Sequence, residues 1–230
     1  MRQSLFLLAL FISVLVAALA WSDAAALPKV LIIGDSISIG YTPFVQQQLA
    51  GQAIVEHNPG NAQDTRKGLA ELDSWLAGKE YDLIHFNWGL WDLRRDPPEE
   101  DDTAVADWAA VPVRVPLDEY LQNLERLVAR LEQTGATLIW GSTSRVPDGG
   151  NRRIAGDEVI YNAAAAKIMA KHGIATDDLH AFTAALPAEL STSKGNVHFT
   201  DPGYERIAGQ VAAAIRAALA RHNGTAAKID

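Results

Sequence analysis

Three polar positions carry the chemistry this sequence offers, and each follows or precedes a patterned apolar segment. Val30–Ile33 runs into Gly34-Asp35-Ser36-Ile37-Ser38, and Tyr81–Phe86 runs into Asn87-Trp88-Gly89-Leu90-Trp91-Asp92. Gly195-Asn196-Val197-His198-Phe199-Thr200 stands just before a closing helical pattern. A serine where a helix begins can expose its hydroxyl beside amides that hold developing negative charge. The same serine can equally serve only as a helix cap. A histidine within reach of that hydroxyl could take its proton and make it a nucleophile. Asn87, at a strand end, can donate its amide to an oxyanion or merely close a turn. Trp88 and Trp91 could stack on a ring-shaped substrate, although tryptophan more often fills cores. His57, His85, His172, His180 and His222 have no comparable context and read as structural or exposed residues.

The elements that must position these groups alternate along the chain. Strands are expected at Val30–Ile33, Ala53–Val55, Tyr81–Phe86, Thr137–Trp140 and Ile174–Thr176. Helices are expected at Thr42–Leu49, Thr65–Leu76, from Leu117 to a cap at Gly135, at Glu158–Lys171, and from about Pro202 onward. Strands alternating with helices imply crossover connections and a parallel sheet covered on both faces. The expected fold is α/β, a flavodoxin-like three-layer α/β/α sandwich of about five strands in the order 2-1-3-4-5. Its reactive groups gather outside the carboxyl ends of the strands. Leu93 to Pro116 interrupts the alternation with Pro97-Pro98 and the acidic run Glu99–Asp102. A connection of that length is often a binding loop or lid.

Composition narrows the classes. The chain has 230 residues, 48% hydrophobic and 21% charged, with a net charge of −8. One domain is expected, and the acidic balance gives nucleic acid no electrostatic footing. Absence of cysteine excludes disulfides, thiol nucleophiles and Cys-type zinc sites. No metal-ligand spacing and neither phosphate-binding glycine motif is present, so no metal and no cofactor is expected. Met1-Arg2, the apolar run Leu5–Leu19 and Ala18-Leu19-Ala20 read as a signal peptide over 1–26, cut near 20 or 26. The run is short for a bilayer span of roughly 20 residues, so no stable membrane insertion is expected after cleavage. The product would be secreted or periplasmic, with a folded domain over 27–222 and a tail over 223–230.

Gly34-Asp35-Ser36, the block Asn61-Ala62-Gln63-Asp64-Thr65, the Asn87–Asp92 turn and Val197-His198-Phe199-Thr200 together resemble the SGNH/GDSL hydrolase superfamily, in order, over about residues 29–219. The resemblance implies an esterase with Ser36 as nucleophile and His198 as base. Its oxyanion hole would draw on Ser36, Gly60, Gln63 and Asn87, and Asp35, Trp88 and Trp91 would meet the substrate. The sequence departs from the family pattern at three points. Gln63 stands where glycine usually precedes Asp-Thr, Trp91 replaces the asparagine of Gly-x-Asn-Asp, and Gly195 replaces the aspartate three residues before histidine. The last departure leaves Asn196 or Asp201 to orient His198, and Gly195→Asp is the change expected to restore an acid. The substrate would be a small-molecule or carbohydrate ester carrying a short acyl group. A non-catalytic carbohydrate-binding protein of the same fold is the alternative.

Overall fold

The computed structural model describes residues 26–97, 105, 107–150 and 152–226. Five parallel strands form one sheet in the order β2-β1-β3-β4-β5: β1 Lys29–Ile33, β2 Ile54–His57, β3 Leu83–Phe86, β4 Thr137–Gly141 and β5 Ala175–Asp177. The helices are α1 Ser36–Gln48, α2 Thr65–Leu76, α3 Leu117–Glu132, α4 Asp157–His172, α5 Leu179–Ala184 and α6 Asp201–Ala226. This is the expected three-layer α/β/α sandwich. Alternation along each strand decides which side chain enters which layer. Leu31, Ile33, Ile84 and Phe86 pack with Leu72, Trp75, Leu124, Leu127 and Met169 on the α2–α3–α4 side. Val30, Ile32, Leu83 and Ile139 pack with Tyr41, Val45, Ile207, Val211 and Ile215 on the α1–α6 side.

Several boundaries differ from expectation by a residue or two, and two departures bear on the site. The sequence places a helix at Thr42–Leu49, which would put Pro43 in its first turn, where a missing N–H does no harm. In the structure the proline lies inside α1, which begins seven residues earlier at Ser36. Asp35 supplies the true cap, its Oδ1 accepting the Ile37 N–H at 2.9 Å. An interior proline costs about 3 kcal/mol, but Ile37 and Val45 on the buried face contribute roughly 1.5–3 kcal/mol each. The packing wins. At the other end of the sheet β5 reaches Asp177, and the short α5 that follows has too few residues to show a helical repeat. Of the long connection, Arg95 and Val113 form an antiparallel bridge and Trp108–Ala110 a single 3-10 turn. The acidic run and the signal pattern lie outside the described residues; of the tail expected over 223–230, residues up to Ala226 continue α6, and those from 227 lie outside the described residues.

Candidate active site

Gly34 sets the site because nothing larger fits: a Cβ there would lie 2.7 Å from Ser38 Oγ. The turn is held from two sides. Gly34 N–H donates to Asn58 Oδ1 at 2.9 Å, and the Gly34 carbonyl accepts the Ala62 N–H at 3.0 Å. Asp35 then caps α1 and leaves Ser36 as its first residue, with its backbone amide among the N–H groups that a helix start cannot pair internally.

From the far end of the chain, the loop before α6 brings His198 to this point. Ser36 Oγ and His198 Nε2 are 2.9 Å apart. His198 Nδ1 lies 2.8 Å from Asn196 Oδ1, which also accepts the His198 backbone N–H at 3.0 Å. An amide oxygen can only accept, so Nδ1 carries the proton and Nε2 keeps the lone pair that faces the serine. Asn196 is therefore the orienting group. Asp201 is an exposed first-turn residue of α6. Burial lowers the His198 pKa below its ordinary value, and Arg153 adds to this, while Asp35 opposes both. The imidazole is neutral, as a base must be.

Gly195 has φ +76°, and a Cβ there would meet the Gly149 carbonyl at 2.7 Å. An aspartate at 195 would be strained twice over, by its backbone and by that contact. The acid that the family places there is excluded by this loop, and Asn196 takes the role from the next position.

The other expected site residues divide. Asn87 lies beside Gly34 at the end of β3, its backbone N–H bonded to Ile33 O at 2.9 Å. Its side-chain amide donates one hydrogen to Gly141 O at 2.6 Å, which fixes the group and leaves a second N–H. Gln63 adopts φ +50°, the left-handed backbone that glycine supplies at this place in the family pattern. Its N–H is spent locally on Asn61 Oδ1 at 2.8 Å. Gly60 is exposed, and its carbonyl accepts from Asn58 Nδ2 at 3.2 Å.

Two of the expected substrate contacts are corrected. Asp35 is buried, and its carboxyl is committed to capping α1, with burial raising its pKa. Trp88 is 1% exposed and fills the core, so close to Gly68 that a Cβ there would lie 2.9 Å from the indole. Trp91 is half-buried, with the guanidinium groups of Arg94 and Arg114 over its ring at 5.1 and 4.9 Å. Asp92, the acid of the third block, is wholly buried. It accepts the Thr65 N–H at 2.9 Å and the Thr65 hydroxyl at 2.6 Å, and burial pushes its pKa up to about 7.

Sequence patterns gave no signal for three groups. A second serine–histidine pair joins Ser38 Oγ to His57 Nε2 at 2.7 Å, and a buried His85–Asp177 pair spans 3.0 Å. Arg153 lines the cleft that opens beside His198, about 360 Å³ in volume, together with Gly149, Gly150, Lys194, Gly195 and Asn196. Among the described residues no group of three or more His, Cys, Asp or Glu is placed to hold a metal ion.

A neutral histidine poised on a helix-start serine, at the carboxyl edge of a flavodoxin-like sheet, defines an ester hydrolase of the serine type. The chain belongs to the GDSL-like lipase/acylhydrolase family, whose pattern matches residues 32–206. Solved structures of the same fold include a lipase/acylhydrolase from Enterococcus faecalis, 18% identical with a TM-score of 0.67, covering 83% of this chain and 96% of that one. The acetyl xylan esterase AlAXEase is 17% identical with a TM-score of 0.64, covering 81% and 99%. A catalytic mutant of an acetylxylan esterase from Geobacillus stearothermophilus is 17% identical with a TM-score of 0.60, covering 80% and 92%. No curated protein matches this chain closely enough to count as a relative.

Proposed function

We propose that this hydrolase is an exported esterase that removes short acyl groups, acetyl above all, from a polar, carbohydrate-like alcohol through an acyl-enzyme. The observation that carries the reading is the 2.9 Å contact between Ser36 Oγ and His198 Nε2, with Asn196 fixing the tautomer. Ser36 Oγ attacks the ester carbonyl carbon as His198 Nε2 takes its proton. The oxyanion forms beside the Ser36 amide and the remaining N–H of Asn87. Collapse breaks the bond to the alcohol, which leaves with the proton from His198. Water then attacks the acyl-serine, giving its proton to His198. The acid departs and Ser36 recovers its hydrogen.

Glycines and polar side chains line the cleft beside His198, which supports a hydrophilic alcohol over a lipid chain. Two similar structures carry the name acetyl xylan esterase, in agreement with a sugar ester. Export rests on the signal pattern before Leu27. A series of 4-nitrophenyl esters from acetate to decanoate tests the acyl preference. Highest kcat/KM at acetate is expected, and a maximum at eight carbons or longer contradicts the reading. The mass of the protein recovered outside the producing cell tests export, with a chain beginning near residue 21 or 27 expected.

A further inference from the structure

Arg153 and Lys194 line the cleft beside His198 in this acidic protein, and a cluster of further arginines stands behind Arg153. Arg94 and Arg114 both bond to Asp96, as does Arg152 at 3.1 Å, so three guanidinium groups share one carboxylate. Arg114 also lies 3.6 Å from Asp64. Arg153 stands next to this cluster and beside His198. Its Nε donates to Leu90 O at 2.5 Å, and among the described residues it has no ion-pair partner. Two carboxyls attract it: Asp35, buried and tied to the start of α1, and more weakly Asp96, already shared by three other arginines.

Burial pushes the Arg153 guanidinium down to about 10, against the pull of Asp35 and Asp96 and with the push of Arg94 and Arg114. It is charged at neutral pH, and its charge is poorly compensated. Lys194, exposed on the same cleft, adds a second cation. A partly desolvated arginine with open terminal nitrogens suits a carboxylate, which it can bind with two parallel hydrogen bonds.

Position tells which half of the ester would carry that carboxylate. His198 passes its proton to the leaving alcohol, so the alcohol lies on the His198 side of Ser36. The cleft shared by His198 and Arg153 is therefore the alcohol's place. We infer that the preferred alcohol bears a carboxylate near the acylated oxygen, as in an O-acetylated uronic acid, and that Arg153 binds that carboxylate. The inference rests on the esterase reading above and narrows its substrate class.

The test compares kcat/KM on O-acetylated galacturonic acid with that on its methyl ester, which removes the charge and little else. 4-Nitrophenyl acetate serves as an independent check of turnover. Wild type is expected to prefer the free acid by about tenfold or more, mainly through KM. Arg153→Gln should bring the ratio close to one, and Arg153→Lys should keep part of the preference, since lysine retains the charge but not the paired geometry. The wild-type ratio should also fall as salt rises from about 20 to 500 mM, a readout that needs no variant to fold. Turnover of 4-nitrophenyl acetate together with a wild-type ratio at or below one overturns the anion inference and leaves the esterase reading standing. A preference that survives Arg153→Gln or is indifferent to salt overturns the role of Arg153. No turnover of any of the three esters overturns both.

Discussion

Two serine–histidine pairs stand within one turn of α1, and they share nearly every feature that chemistry would ask for. Ser36–His198 spans 2.9 Å and Ser38–His57 spans 2.7 Å. In each, the second ring nitrogen faces an oxygen that can only accept: Asn196 Oδ1 at 2.8 Å, and the Asn58 carbonyl at 2.7 Å. Burial lowers the pKa of both histidines. Access and attachment separate them. Ser38 is 2% exposed, and its hydroxyl also faces the Asp35 carbonyl at 2.8 Å, so it ties the end of β2 to the start of α1. Ser36 is half-buried, and its histidine borders an open cleft. A short hydrogen bond between serine and histidine is thus no mark of catalysis by itself. The pair becomes catalytic where a carbonyl carbon can reach the oxygen and amides await the charge.

The sharpest way to break this comparison is to delete each hydroxyl. Ser36→Ala is expected to lower kcat/KM on 4-nitrophenyl acetate by about 10⁴-fold or more, with an unchanged circular dichroism spectrum and melting temperature. Ser38→Ala should do the reverse. Loss of a buried hydroxyl whose one proton is shared between His57 Nε2 and the Asp35 carbonyl is expected to reduce stability by roughly 1–3 kcal/mol in urea titration, while activity at a temperature where the variant is folded stays within about tenfold. Comparable activity losses in the two variants would erase the distinction.

Asn196 sharpens the comparison on the catalytic side. With no carboxylate behind it and a pKa lowered by burial, His198 loses its proton below the ordinary ~6.5. The rate should therefore rise with pH and level off below that value. Asn196→Asp keeps the acceptor and adds a charge that favours the imidazolium, so the inflection should move up by about one unit. The plateau should rise several-fold, because the charge also stabilises the imidazolium of the transition state. An unmoved inflection would mean that Asn196 does not hold the ring in solution.

A smaller effect concerns the buried acid beside the site. Burial pushes the Asp92 carboxyl up to about 7 in the folded protein, against an ordinary aspartate value of 3.8. Between those values the folded protein holds a proton that the unfolded chain has released, so this group makes stability fall as pH rises from about 4 to 7. Asp92→Asn keeps an oxygen for Thr65 and removes the charge. The fall in melting temperature over that range should flatten, and an unchanged profile would place the ionised carboxylate in a better-solvated setting than the buried one described here.

The fold was legible because it rests on patterns longer than any one contact: five apolar runs, each followed by a helical repeat, admit few arrangements. Ser36 and His198 were legible for the same reason, since the order of elements sends both to the carboxyl edge of the sheet. What escaped sequence reasoning depends on geometry between distant residues. The Gly34-Asp35-Ser36 block singles out Ser36, but nothing in the letters shows that Ser38 pairs with His57, that Asp35 faces inward as a cap or that Trp88 lies on Gly68. Gly195 looked like a lost acid. Its left-handed backbone against Gly149 shows that the loop holds no room for one, and the orienting oxygen comes from Asn196. Arg153 had no motif at all, because its significance comes from neighbours some sixty residues before it and forty after.

Site-resolved labelling tests the central claim most directly. A fluorophosphonate probe reacts with a serine hydroxyl only when a base activates it and the phosphorus can enter the oxyanion site. The protein should take up one probe per chain, and fragmentation of the peptide containing both serines should place the adduct on Ser36 with none on Ser38. An adduct on Ser38, or sustained hydrolysis of 4-nitrophenyl acetate by a chain fully labelled elsewhere, would contradict the account.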